Sequence, residues 1–413
     1  MLVMAHCGFL NLGMLGLCAL LFLWVLPQGA QGSSRGSFGL SSMDGICASS
    51  VIIHGYTCQE LHVTTKDGYI LNLQRIPEGR FGGAAGNSAK RPPVLIQHGI
   101  LVDGMTWLLN PPEQNLPLIL ADKGFDVWIA NSRGTRFSRR HTSLDPNDPD
   151  FWDWSWDELV MHDMPAFFEY VYTQTGQKID YVGHSLGTLI ALASFSEGLQ
   201  VDKLRSAAFL SPIAYLSHMT TALGVVIAKS FVGEITSLLG LAEFNPKGEP
   251  VGHFLKVLCA HPGIDCYDLL SAITGQNCCL NSSIVNLFLR NEPQSTSTKN
   301  MVHLAQIVRD GVIARYNYGR IDFNMMHYGA ALPPTYNISN IPKDIPIFIS
   351  YGGRDALSDV RDVELLIDAF KFHDGDKFNV QHIKDYAHAD FIMGVNAKDL
   401  VYNQVVAFFK RQH

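Results

Sequence analysis

Five residues, Gly183-His184-Ser185-Leu186-Gly187, constrain this chain more than any other feature because of what flanks them. The short apolar run Ile179 to Val182 precedes them, and the small-residue stretch Thr188 to Ser196 follows. The order is strand, sharp turn, helix. A serine at the apex of such a turn must adopt a strained backbone, and only tiny residues on either side avoid collision. Gly183 and Gly187 meet that demand, so Ser185 reads as a nucleophile lifted clear of a sheet. The plainer alternative is a glycine-rich turn in which Ser185 caps the helix.

What surrounds this turn reads as one large α/β domain carrying an insertion, or as two ordinary domains; 413 residues allow either. Hydrophobic residues make up 47% and charged residues 17%, which describes a globular chain with a sizeable core. A net charge of −7 argues against nucleic acid as the main partner. The strongest basic spot, Arg139-Arg140, is too short to change that.

Residues 1–32 read as a signal peptide. An apolar run from Phe9 to Leu26 precedes Pro27, and Ala30-Gln31-Gly32 offers small residues for cleavage. The run is barely long enough to span a bilayer, so a retained anchor is the competing reading. Sequons at Asn281 and Asn337 fit a secretory lumen, and the predicted destination is extracellular, vacuolar or lysosome-like. Six cysteines follow the leader: Cys47, Cys58, Cys259, Cys266, Cys278 and Cys279. Their even number points to disulfides, Cys47 with Cys58 and the other four among themselves in a pattern left open. A zinc site is the alternative, disfavoured by the adjacent Cys278-Cys279.

Two core segments, 33–211 and 326–413, are expected to flank a helical cap or lid over 212–325. Alternation around Lys66-Asp67-Gly68 predicts an antiparallel hairpin. Continuous apolar runs then recur at Val94–Ile96, Val127–Ile129, Ile179–Val182, Ala207–Leu210, Ile345–Ile349 and Phe378–Ile383, the pattern of a buried parallel sheet. Eight mostly parallel strands are predicted. From Pro212 to about Asn324 no strand-like run occurs, and helices over the carboxyl edge of the sheet are expected there. Within them, Ala222 to Leu241 reads as an amphipathic cap helix, since Lys229 and Glu234 interrupt its apolar face. The aromatic run Phe151 to Trp156 reads as core packing at a helix start rather than as a binding cluster.

A serine hydroxyl needs a base within reach, itself oriented by a buried acid. Asp355 directly follows the penultimate predicted strand and is the expected acid; Asp359 and Asp362 fall in a helical stretch and should cap it or face solvent. The expected base is His388, just after the last strand. His382 lies within that strand and His373 before it. An oxyanion needs two donors, expected from the backbone N–H groups of Leu186 and of Ile100 or Leu101 in the loop Gln97-His98-Gly99. His98 suits bracing of that loop better than proton transfer. No cofactor and no metal is expected.

These segments resemble the acid lipases, the family of gastric and lysosomal acid lipases and their plant relatives, with the plant secreted triacylglycerol lipases most similar. The resemblance spans nearly the whole chain beyond the leader. It rests on Thr65 to Tyr69, Gln97 to Gly99, Asn131 to Gly134, Phe151 to Leu159, Gly183 to Gly187, Met326 to Tyr328 with Pro333-Pro334, Tyr351 to Asp355, and His388 to Phe391. It implies an α/β-hydrolase fold with a mobile cap and an esterase acting on long-chain acylglycerols or sterol esters at an oil–water or membrane interface. No protein partner is required. Ser185, Asp355 and His388 take the triad positions. Leu186 departs from the glutamine common in the family, which alters pocket polarity but not the backbone donor. Acyl transfer to another alcohol uses the same residues, and a non-catalytic lipid-binding protein is the reading from another class.

Overall fold

The computed structural model describes residues 45–80, 90–221, 240–248 and 269–413. The predicted leader, the cap helix over Ala222 to Leu241 (apart from its last two residues), Cys259 and Cys266 lie outside them. The chain forms a twisted sheet from β1 (Gln59–Thr64), β2 (Tyr69–Ile76), β3 (Pro93–Gln97), β4 (Asp126–Ala130), β5 (Arg140–His141), β6 (Ile179–Ser185), β7 (Leu204–Pro212), β10 (Ile347–Gly352) and β11 (Phe378–Ile383). Two further strands, β8 (Glu243–Phe244) and β9 (Thr296–Ser297), pair with each other in a separate two-stranded sheet.

The main path runs β1-β2-β4-β3-β6-β7-β10-β11, with β5 attached to β2. Pairings among β1, β2, β4 and β5 that involve β2 are antiparallel; all others in this sheet are parallel. The eight anticipated strands are therefore present, and β5 is an addition of two residues too short to leave a period. β8 and β9 correct the expectation of an insertion without strands: Glu243 pairs with Ser297 and Phe244 with Thr296.

Strands read as continuous apolar runs prove to have two faces. Leu95, Trp128 and Tyr181 join one core cluster, while Val94, Ile96, Val127, Ile129 and Val182 join the other. The parallel strands are coated on both sides, so alternation survives in direction but not in polarity. Helices α1 (Leu116–Asp122), α2 (Met164–Thr175), α3 (Leu186–Ser196), α4 (Leu269–Thr274), α5 (Ser282–Asn291), α6 (Thr298–Asp310), α7 (Ile321–Tyr328), α8 (Val360–Ala369) and α9 (Asn403–Lys410) follow in chain order. Residues of α2, α3 and α8 pack in the first cluster, those of α1 and α9 in the second. No helix among the described residues is long and apolar enough to cross a membrane.

Two strands differ from their sequence reading. β2 is buried on both faces, with Asn72 and Gln74 enclosed in a network that includes Glu60 and Asn131. β11 is an edge strand, half-exposed along its length. The aromatic run behaves as expected: Phe151, Trp152, Trp154 and Trp156 are all buried, and Ser155 and Glu158 form a capping box at the helix start. Another matching segment serves an ion-pair hub. Arg133 is fully buried, bonds Asp163 and Asp67, and lies over the Tyr69 ring at 3.9 Å. Burial favours the neutral guanidine, but the two carboxylates outweigh it and hold Arg133 above its usual range.

Candidate active site

The turn after β6 forces its central residue into strain. Ser185 has φ 54° and ψ −124°, a conformation costly for any residue with a side chain. Its neighbours show why glycine is needed. A Cβ on Gly183 would lie 2.9 Å from the Gly187 carbonyl, and one on Gly187 would lie 2.7 Å from the Gln97 oxygen. Both obstacles are backbone, which cannot rotate away. Leu186 opens α3, so its N–H is one of the donors a helix start leaves unpaired.

The β3 loop runs directly over the serine. A Cβ on Gly99 would sit 2.8 Å from Ser185 Cβ. His98 is buried and braces this loop: its Nδ1 faces the Gly99 carbonyl at 2.8 Å and its Nε2 accepts from Ser132 N–H at 3.1 Å. Burial holds its pKa below the usual histidine range, so it stays neutral. Leu101 takes a positive φ of 58°, and its carbonyl accepts from Gln294 N–H at 2.7 Å. Ile100, Leu101, Leu186, Trp154 and Thr296 line a narrow cleft here. A larger cavity of about 350 Å³ lies between Pro146–Trp152 and Gly240–Gly248 and contains none of these residues.

Asp355 follows β10 and His388 follows β11, both buried. His388 Nδ1 faces Asp355 Oδ2 at 3.0 Å and Oδ1 at 3.2 Å. Asp355 Oδ1 also accepts from the N–H groups of Leu357 and Ser358, at 2.9 and 2.8 Å. His388 Nε2 is buried and has no hydrogen-bond partner among the described residues. The carboxylate thus occupies one ring nitrogen and leaves the other as a base. Asp359 caps α8 as expected. Asp362 does not cap or face solvent: it is buried and paired with His218 at 2.7 Å, because the chain leaving β7 folds back on it. His382 lies within β11, and His373 precedes it with Nε2 on the Ile345 carbonyl.

Several residues at this site were not anticipated. Ser211, at the end of β7 with φ 50°, donates its hydroxyl to Asp355 Oδ2 and lies 2.8 Å from His388 Nδ1. His184 sits 4.7 Å from the His388 ring, with Nε2 on the His388 carbonyl at 3.1 Å. Burial first, and the adjacent His388 second, push its pKa well below the usual range. The inserted chain supplies a third set. Thr274 O accepts from His388 N–H at 3.1 Å and from Ala356 N–H at 3.4 Å. Asn277 Oδ1 accepts from Ala389 N–H at 3.1 Å. Asp390 is buried and accepts from the N–H groups of Ala387, Cys278 and Cys279 at 2.8, 3.1 and 3.1 Å. Burial raises its pKa despite those three donors. The position of Ser211 at a strand's carboxyl end was the available clue, since such ends carry sites in open sheets. Nothing in the sequence spacing pointed to Thr274 or Asn277.

Cys47 is bonded to Cys58, and Cys278 to its neighbour Cys279. Cys278, Cys279 and Asp390 bring ligating atoms within 4.8 Å of one another. The sulfurs are bonded together and the carboxylate is taken by N–H groups, so this grouping offers no free metal ligand. Asn281 and Asn337 are both exposed at helix N-caps.

The chain is similar to known hydrolases in sequence and fold. Residues 47–111 match the family model described as a partial alpha/beta-hydrolase lipase region, and residues 92–258 match the alpha/beta hydrolase fold. Triacylglycerol lipase 2 of Arabidopsis thaliana is 65% identical over 387 residues, covering 92% of this chain and 93% of that protein. The lysosomal acid lipase/cholesteryl ester hydrolase of Homo sapiens is 33% identical over 412 residues, covering 96% and 98%. A soluble variant of monoglyceride lipase from Saccharomyces cerevisiae superposes with a TM-score of 0.55 at 15% identity, over 86% of this chain and 96% of that one, a likeness of fold.

Proposed function

This chain belongs to the acid lipase family of α/β-hydrolases, and on that premise we propose that it hydrolyses fatty-acyl esters of glycerol through an acyl intermediate on Ser185. The observation that carries the reading is the division of labour on His388. One ring nitrogen faces Asp355, while the other is buried and unpartnered at the rim that holds a strained serine.

Ser185 Oγ attacks the ester carbonyl while His388 Nε2 takes its proton. Asp355 keeps the second proton on Nδ1 and stabilises the imidazolium as it forms. The N–H groups of Leu186 and Ile100 receive the charge that develops on the carbonyl oxygen; losing one such donor costs about 3 kcal/mol in barrier. His388 returns its proton to the glycerol oxygen, which leaves. Water then attacks the acyl-serine by the same route and frees the fatty acid. The partner is a lipid surface, and Leu101, Trp154 and Leu186 give the cleft the apolar lining an acyl chain needs.

The compartment proposed is extracellular or lumenal. Two disulfides and two exposed sequons favour an oxidising space where glycans are added. Ser185→Ala is the test. Turnover of triolein and labelling by a fluorophosphonate should fall at least about ten-thousandfold while the thermal transition holds. Undiminished labelling in that variant would refute the assignment.

A further inference from the structure

We propose that Ser211 is a positioning residue for the His388 proton transfer: its hydroxyl fixes the imidazole tautomer and tempers the pull of Asp355. This deepens the triad reading and rests on it. The two oxygens of Asp355 have different surroundings. Oδ1 already accepts the N–H groups of Leu357 and Ser358. Oδ2, the oxygen nearer to the base, takes the Ser211 hydroxyl. A hydroxyl has one proton, and here the carboxylate claims it. What remains toward His388 Nδ1, 2.8 Å away, is a lone pair. Nδ1 is therefore met by acceptors from both Asp355 and Ser211 and must carry the hydrogen. Nε2 is left as the lone-pair nitrogen, the form a general base needs.

The surrounding chain is built to hold this hydroxyl in place. Ser211 is fully buried, and its positive φ aims the side chain across the end of β7. The next residue is pinned from the acid loop, since Ser358 Oγ donates to the Pro212 carbonyl at 2.6 Å. Beyond Pro212, Ile213 N–H is held by Thr188 Oγ1 at 2.7 Å, on the helix that begins at the nucleophile. The acid loop and the nucleophile helix thus fix the backbone that follows this hydroxyl. Other charged or titratable groups near the imidazole are His184, which bonds the His388 carbonyl, and Asp390, two residues along the same loop. Neither lies on Nδ1.

The hydroxyl draws off part of the negative charge that Oδ2 presents to the ring. Without it the carboxylate stabilises the imidazolium more strongly, and the base is lost to protonation earlier as pH falls. Ser211→Ala and Ser211→Gly separate this role from a structural one, because alanine removes the hydroxyl alone and glycine suits a positive φ. The experiment follows fluorophosphonate labelling of Ser185 and turnover of a soluble ester across pH. Both variants should lose about tenfold in kcat with KM unchanged, the scale of one hydrogen bond to a charged group. The acid limb of kcat/KM should move to higher pH. A glycine variant with kcat within twofold of wild type and an unmoved acid limb overturns the proposal, as does a loss confined to KM. Absence of labelling at Ser185 in the wild-type protein would overturn the triad reading and this one together.

Discussion

The rim of the sheet and the inserted chain that crosses it hold the same three side chains by different means. At the rim, Ser185, Asp355 and His388 each follow a parallel strand, and neighbouring backbone dictates their placement. The inserted chain reaches their loops mostly through individual hydrogen bonds: Thr274 to the acid and histidine loops, Asn277 to the histidine loop, Cys278 and Cys279 to Asp390, Gln294 to the oxyanion loop, with Gly275 bridging Asp355 beside them. Position at the rim is fixed by steric exclusion, which has no gradual failure. Position from the insertion is fixed by bonds worth about 1 kcal/mol apiece, which can be lost one at a time.

If that contrast holds, damage to the rim should exceed damage to the insertion. Gly187→Ala sets a methyl 2.7 Å from the Gln97 oxygen and 2.9 Å from the His98 oxygen. It should displace the oxyanion loop and cost a hundredfold or more, roughly the loss of one oxyanion donor. Steady-state kinetics on a soluble ester would show it; near-normal activity would break the comparison. Asp390→Asn comes next. Both carboxylate oxygens receive only N–H donors, so an amide must turn an NH₂ group toward at least one of them. About tenfold in kcat and a few degrees in Tm should be lost, in line with one unsatisfied buried group at 1–3 kcal/mol.

The smallest effect concerns Glu292, buried beside the oxyanion loop. Its Oε2 has no hydrogen-bond partner among the described residues, and Oε1 receives Asp103 N–H at 3.4 Å. Burial, then the Asp103 charge, raise its pKa to about 8, while Arg136 opposes them. The folded protein therefore keeps a proton on Glu292 that the unfolded chain releases. This stabilisation is complete below the ordinary glutamate range and fades as pH rises toward 8. Buried neutral histidines such as His303, pushed down to about 3 by burial, act oppositely and weaken the fold in acid. Comparing wild type with Glu292→Gln separates the two. The variant's Tm should fall less between pH 5 and about pH 8 than that of wild type, as differential scanning calorimetry would reveal. Parallel curves would show that the fold is indifferent to this proton.

The same contrast explains what could be read from the amino-acid order. Residues whose role comes from a strand and the loop after it declare themselves locally, as Gly183, Gly187 and Asp355 do. Thr274, Asn277 and Glu292 act across long stretches of chain through one or two bonds each. Neither periodicity nor composition records such a contact. Asp362 was misjudged for a related reason: its helical position was plain, but its partner His218 lies 144 residues away. The strands β5 and β8, two residues each, are too short for alternation to exist.

The carbonyl of Thr274 receives hydrogen bonds from both the acid loop and the histidine loop. One oxygen atom therefore serves two halves of a machine that must agree in register. A shift of this stretch by the length of a bond unsettles the acid and the base simultaneously, so neither can be tuned alone by edits made here. Edits to the insertion that spare residues 274–279, Glu292 and Gln294 leave these contacts to the catalytic loops in place.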